Sequence, residues 1–171
     1  MNYLCSVSSS LVHNYNLGIQ SGVWGVEDKY ASRIAGVTPG DLLVFLVDRH
    51  FRSIHEITEG PYVDATPIWE PRESDYFRHR VRFGDAVASG SLPAEGTWQQ
   101  ISFMRDTQRW SGTVQGRNGI FNDRLTSEDI EVVTQGLRGG AVGTVSTEFG
   151  MRNLAHRARE RLQSRHYFRK A

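Results

Sequence analysis

The chain has 171 residues, 39% hydrophobic and 23% charged, which excludes a mainly disordered polymer and fits one folded domain plus an appendage. Residues 1–10 carry no basic segment or apolar run of signal-peptide length, and no stretch reaches the ~20 apolar residues of a membrane span. A single cysteine, Cys5, excludes an internal disulfide, so a reducing, cytoplasmic setting without a membrane is expected. The net charge of +1 hides a division. Residues 148–171 carry seven basic and two acidic side chains, a sum of +5, whereas the rest hold 13 basic and 17 acidic groups, a sum of −4. An acidic body of this kind is not built to wrap a long duplex by electrostatics alone. Of the 20 cationic side chains 18 are arginine, which suits bidentate phosphate and base contacts, although genomic base composition biases the count the same way.

In chain order, residues 3–7 read as a short strand, and Ser8, Ser9 and Ser10 offer N-cap chemistry for a helix to about Leu17, ended by Gly18. A turn then leads through residues 22–26 into a polar loop, 27–33. The tight turn at 37–41 feeds the continuous apolar run 42–47, which predicts a central strand with residues 51–59 returning as its partner. Residues 60–71 contain three prolines and are too broken for a helix or a central strand. From Tyr76 to Phe83 the residues alternate. Phe77, His79, Val81 and Phe83 fall on one face and Tyr76, Arg78, Arg80 and Arg82 on the other, predicting a half-buried strand with a basic outer face. The stretches around Trp98 and Trp110 carry no decisive pattern. Thr126 opens a helix to about Gln135. The organisation expected is a domain over 1–137, a glycine-rich linker over 138–148, and a basic amphipathic helix over 149–171.

Catalytic chemistry finds no support. The six histidines lack metal-site spacing, no Cys-x-x-Cys pair exists, and neither a nucleophile elbow nor a phosphate loop appears. Glu27-Asp28-Lys29 matches the E-x-K of a metal nuclease only nominally, because no upstream strand supplies an aspartate. A binding domain without metal or cofactor is the expectation.

Two tryptophans stand out. Trp24 lies between glycines at a turn and Trp69 lies in the proline-rich loop, where core tryptophans are not expected. Such residues can wall a pocket for a flat ligand, since stacking a base on an aromatic ring contributes about 1–3 kcal/mol. They can equally plug the ends of a small barrel, and spacing alone does not choose.

The run Gly22-Val23-Trp24-Gly25-Val26, the turn Val37-x-Pro39-Gly40-Asp41 and the segment Tyr62-x-Asp64-x-Thr66-Pro67-Ile68-Trp69 resemble the EVE family. Residues 103–105, Trp110 and 125–129 resemble its C-terminal half, so the blocks occur in order over roughly residues 2–137. EVE domains belong to the PUA-like superfamily and are similar to YTH readers of methylated bases. The resemblance implies an α+β fold, a strongly curved mixed sheet or small barrel flanked by helices, here with a C-terminal helical extension. It also implies a flipped base held between Trp24 and Trp69, its polar edge read by Ser9, Ser10, Asn14 and the backbone of Gly25. Ser10 stands where the family has asparagine, which alters the hydrogen-bond pattern. Tyr62 or Tyr76 would supply a third wall. Asp64 would accept from an exocyclic amino group or, alternatively, cap its own loop as an Asx turn.

Phosphates flanking the flipped base fall to Arg33, Arg49, Arg52, Arg78, Arg80 and Arg82, the alternative being a solvated surface with ordinary ion pairs. The tail resembles the segment entering an HNH nuclease module of modification-dependent restriction proteins; the alternatives are a tail that binds DNA or a partner, or a helix that docks on the core or makes a homodimer. The expected ligand is therefore a modified base in DNA (5-methylcytosine, 5-hydroxymethylcytosine or N6-methyladenine), read by base flipping for a fused or partner nuclease. Modified RNA and a free nucleoside are the rival ligands.

Overall fold

The computed structural model describes residues 1–69, 76–105, 122–123 and 125–139. The chain divides into two units, Met1–Ala141 and Val142–Ala171, and every described residue belongs to the first. Trp110, the expected tail helix and all of the expected linker beyond Gly139 lie outside the described residues.

Among the described residues six strands form one mixed sheet: β1 (Asn2–Val7), β2 (Val23–Val26), β3 (Leu42–Val47), β4 (His50–Val63), β5 (His79–Pro93) and the two-residue β6 (Asn122–Asp123). Their order is β2-β5-β4-β3-β1-β6. The helices are α1 (Val12–Ser21), α2 (Ala31–Ile34), α3 (Ala94–Thr97) and α4 (Ser127–Leu137). The central strand expected at 42–47 is β3, parallel to β1 and antiparallel to β4. Its uninterrupted apolar run follows from burial on both faces. Leu43, Phe45 and Val47 enter one core cluster, while Val44 and Leu46 enter the other. The β3–β4 hairpin closes over Asp48 and Arg49, both at positive φ (44° and 64°), the backbone of a tight two-residue turn. Arg49 is thus committed to a turn, and its carbonyl accepts the Ala94 N–H.

β4 and β5 are long, 14 and 15 residues, and their register shifts repeatedly along the ladder. Each shift bends and twists the pair, which curls the sheet into the α+β half-barrel that the resemblance implies.

Several local expectations are corrected. The first helix passes through Gly18 and ends at Gly22, which adopts φ 62° and bonds back to the Gly18 and Ile19 carbonyls. Gly18 is needed for a different reason: a Cβ there would lie 2.9 Å from the Val23 carbonyl and 3.0 Å from the Trp24 ring, so glycine lets α1 lie against Trp24. The Ser8–Ser10 run forms no side-chain cap; Ser8 Oγ bonds Ser10 Oγ instead, at the mouth of a short 3-10 turn, Ser9–Leu11. The polar segment 27–33 is a 3-10 turn, Asp28–Tyr30, running into α2. Residues 60–63 continue β4 despite their proline, at the strand's far end, where the register slips again. The strand expected from Tyr76 begins at His79 and runs on to Pro93. At the C-terminal side the helix carries a full capping box, Thr126 with Asp129, and extends through Gly136 to Leu137. Gly136 is therefore helical, and a Cβ on it would meet the Leu92 side chain at 2.4 Å.

Candidate base-binding site

Trp24 lies on β2, not at a turn, and both tryptophans are 5% exposed in the first core cluster. An edge strand built from Val-Trp-Gly-Val pairs with β5, so that Trp24 opposes Val81 and Gly25 opposes Arg80. Paired residues of an antiparallel ladder share a face. Trp24 and Val81 therefore point inward, where Trp24 meets Phe45 edge-to-face at 5.2 Å. On the opposite face Gly25 has no side chain, and the Phe77 carbonyl drops to 2.3 Å from where a Cβ would stand. That carbonyl accepts the Arg80 Nε–H at 3.2 Å. Gly25 is thus required by the close approach of residue 77, whatever its backbone offers a ligand.

Trp69 is fixed from several sides. Its indole N–H donates to the Asn14 carbonyl at 2.9 Å. Its ring meets Trp24 at 6.1 Å and 86°, and Phe77 at 5.6 Å and 73°. The Arg80 guanidinium lies over it, 5.3 Å from the ring centroid. The two tryptophans are therefore in mutual edge-to-face contact, not held as parallel plates with a slot between them. A base sandwiched by both requires one ring to turn, and Trp69, on irregular backbone, is the one not anchored in a strand.

Arg80 corrects the expected basic outer face. Its side chain is 0% exposed, and Nη1 makes an ion-pair contact of 3.3 Å with Asp64 Oδ2. The alternation rule failed because residues 64–69 and 77 roof this end of the strand. Arg80 is accordingly not a solvent-facing phosphate contact. Asp64 realises its loop-capping alternative: Oδ1 accepts the Thr66 N–H at 2.8 Å, and bonds from Thr66, more than the nearby Arg80 and Arg82, hold its carboxyl below the usual range.

The other predicted residues divide clearly. Asn14 is buried on α1 beside Trp69, and its Nδ2 has no hydrogen-bond partner among the described residues. Ser9 and Ser10 are exposed before the helix. Tyr76 is exposed and packs its ring on Phe77 at 5.3 Å, which extends the aromatic chain Trp24–Trp69–Phe77 outward. Tyr62 is half-buried under the Arg82 guanidinium, its hydroxyl buried without a partner among the described residues. Arg78 pairs with Asp28 through Nε at 2.8 Å, and Arg82 with Glu59 at 3.1 Å. Arg33 is exposed on α2, Arg49 on the hairpin, and Arg52 is half-buried on β4. Arg78 and Arg82 are thus engaged in ion pairs, as in the alternative reading of a solvated surface.

Sequence reasoning missed Phe77 and Phe45, which organise the aromatic cluster, and it missed His55. That histidine lies between Phe45 (5.9 Å) and Phe83 (4.7 Å), with Nδ1 bonded to the Gly84 carbonyl and Nε2 without a partner among the described residues. Burial pushes its pKa below the ordinary value and pushes the Cys5 thiol upward, so Cys5 is not an activated nucleophile. In the nominal nuclease fragment Lys29 pairs with Glu27 at 2.6 Å, and Asp28 is held by Arg78 and His79. Among the described residues no group of three His, Cys, Asp or Glu side chains is placed to hold a metal ion, and no helix is long and apolar enough to cross a membrane.

No family model matches the chain. It is similar to two UPF0310 proteins: one of Pyrococcus abyssi, 27% identical over 61% of this chain and 80% of that protein, and one of Pyrococcus horikoshii, 26% identical over 57% and 76%. Among solved structures it resembles the Toxoplasma CPSF4 YTH domain in complex with a 7-mer m6A-modified RNA (TM-score 0.58, 14% identity, 88% of this chain and 97% of that one). It also resembles the Pho92 YTH domain in complex with m6A (0.55, 12%, 84% and 86%). A third is the MRB1 YTH domain of Zygosaccharomyces rouxii with N6-methyladenosine RNA (0.53, 14%, 77% and 84%). At these identities the likeness shows the fold alone, which is YTH-like.

Proposed function

We propose that this chain is a non-catalytic reader of a methylated base in single-stranded RNA, with N6-methyladenine the leading candidate. The observation that carries the reading is Asn14. A buried amide donor without a partner costs about 1–3 kcal/mol; Asn14 Nδ2, which has none among the described residues, sits on the helix that receives the Trp69 indole N–H, beside the Trp24–Trp69 pair. A base acceptor would satisfy it, and two indole faces would offset the few kcal/mol that unstacking costs. Trp69 would turn away from Trp24 to admit the base, and the exposed Tyr76 would form the outer wall.

The sequence alone put DNA first. The YTH neighbours bound to m6A and m6A-modified RNA support RNA ahead of it. Membership of the EVE family, and a tail that connects to a nuclease or dimerises, belong to the same proposal as its finer, separate parts. A second ligand class, methylated DNA, is an outcome of the test.

Fluorescence anisotropy at one moderate salt concentration decides it, since salt alone moves nucleic-acid affinity strongly. Single-stranded RNA carrying one N6-methyladenine should bind at least tenfold more tightly than its unmethylated twin. Asn14→Ala and Trp69→Ala, each verified as folded, should abolish that preference. Equal binding of both RNAs by the wild type would end the reading. Preference confined to methylated DNA duplexes would move the ligand to DNA.

A further inference from the structure

We infer that Arg82, lying over Tyr62, is a stacking platform for the nucleobase next to the flipped one, so that the protein grips a single strand through a second base. The inference rests on the reading of Trp24 and Trp69 as the base site.

Across the β4–β5 ladder Glu59 opposes Arg82 and Tyr62 opposes Arg80, so these four side chains share the sheet face opposite Trp24 and Val81. The Arg82 guanidinium lies over the Tyr62 ring, 5.3 Å from its centroid, and its Nε is 3.1 Å from Glu59 Oε2. One face of the guanidinium thus meets the ring and one edge meets the carboxylate. Among the described residues no other hydrogen bond or ion pair engages it, and the side chain is 48% exposed, which leaves the second face to solvent. Two residues back along β5, the Arg80 guanidinium lies over Trp69, also at 5.3 Å. The arginine–aromatic contact is therefore made twice on one face, once at the tryptophan pair and once about 7 Å further along the strand. That step is within reach of the next nucleotide of an unstacked strand.

Charge decides between a base and a phosphate as the occupant. A phosphate contact draws on uncompensated positive charge. Here a carboxylate stands beside each guanidinium, Glu59 beside Arg82 and Asp64 at 3.3 Å from Arg80, so a phosphodiester meets locally neutral pairs. A neutral base needs only the plane, since bases stack on guanidinium planes as they do on aromatic rings. Glu59 then helps by holding that plane in one orientation. The Tyr62 hydroxyl takes no part: it is buried without a partner among the described residues, and what Tyr62 supplies is its ring.

The test uses one short single-stranded RNA with a single N6-methyladenine, and two copies in which the nucleotide on its 5′ or its 3′ side is an abasic ribose. Every phosphate is kept, so the ratio of affinities reports the neighbouring base alone. Removing that base on one of the two sides should cost wild type about tenfold. Arg82→Lys keeps the charge and loses the plane, so it should bind the intact and abasic RNAs within about twofold of each other. Tyr62→Phe should keep the wild-type difference and Tyr62→Leu should shrink it; Arg82→Lys, at an exposed position, carries the test if the Tyr62 variants do not fold. Arg82→Lys that retains the tenfold difference overturns the inference. So does a wild type indifferent to both abasic replacements while its preference for N6-methyladenine stands. Wild type indifferent to methylation overturns the base reading itself.

Discussion

Each face of the sheet buries its own apolar cluster, but the two treat polar groups differently. On one face Leu4, Val44, Leu46, Phe51, Ile54, Ile101, Met104 and the apolar stripe of α4 pack together. The buried carboxylate in this half, Asp129, is fully employed: it accepts the Ser102 N–H (2.7 Å), the Ser102 hydroxyl (2.6 Å) and the Thr126 N–H (2.9 Å). On the other face Tyr15, Trp24, Phe45, Trp69, Phe77 and Phe83 meet edge-to-face, and buried polar atoms of Asn14 and His55 lack partners among the described residues. Buried polar groups are ordinarily bonded, and each exception needs a reason. One face bonds its buried carboxylate fully within the fold, and the other holds buried polar atoms beside aromatic rings with no partner among the described residues.

The largest expected effect breaks the stable face. Phe51→Ala removes a 0% exposed ring from the aliphatic cluster and should cost about 3–5 kcal/mol, read as a fall in the urea midpoint with the slope unchanged. Asp129→Ala comes next, at about 2–3 kcal/mol, because it removes the Asp129 half of the capping box and leaves the Ser102 and Thr126 N–H groups without an acceptor. Methyl-selective RNA binding by its folded fraction should be unchanged, and selective loss of that binding would erase the distinction between the faces.

Acid probes the aromatic face. His55 titrates below its ordinary 6.5 because burial disfavours the cation more than the Gly84 carbonyl and Asp85 favour it. The unfolded chain therefore takes up this proton first, so the stability present above about pH 6.5 is lost as pH falls toward the lower folded value. Thermal melts at pH 7.5 and 5.5 should show that decline, and His55→Gln should flatten it. Asp28, whose carboxyl Arg78 holds below 3.8, adds its own loss only in a more acid window. The smallest stability effect belongs to Asn14→Leu. Removing a buried amide donor that has no partner among the described residues should leave the melting temperature within about 1 kcal/mol equivalent of wild type, while methyl-selective binding disappears. A large loss of stability would mean Asn14 is a structural residue, and the contrast between the faces would narrow.

Much of the architecture was legible because it depends on short-range periodicity. The apolar run at 42–47 is a strand buried on both sides, and the Thr126–Asp129 box marks a helix start where the structure has one. Trp24 and Trp69 stood out in the sequence and Asn14 followed from the resemblance; the Trp69 ring touches Trp24 and its indole N–H reaches the Asn14 carbonyl. Phe77 and His55 carried no comparable signal, since an aromatic or a histidine at an alternating position looks like any half-buried strand residue.

What the sequence determined by itself was therefore the main strands and helices, because hydrophobic period, caps and turns act over a few neighbours, while the candidate base contacts came from the family resemblance. Whether Arg80 faces solvent or lies sealed over Trp69 was decided only by the tertiary structure. Alternation assigns a side chain to one side of a strand, but burial depends on what covers that side, and here the cover comes from residues 64–69 and 77, folded back over a glycine. The angle between the two tryptophans was decided in the same way, by packing among residues distant in the chain.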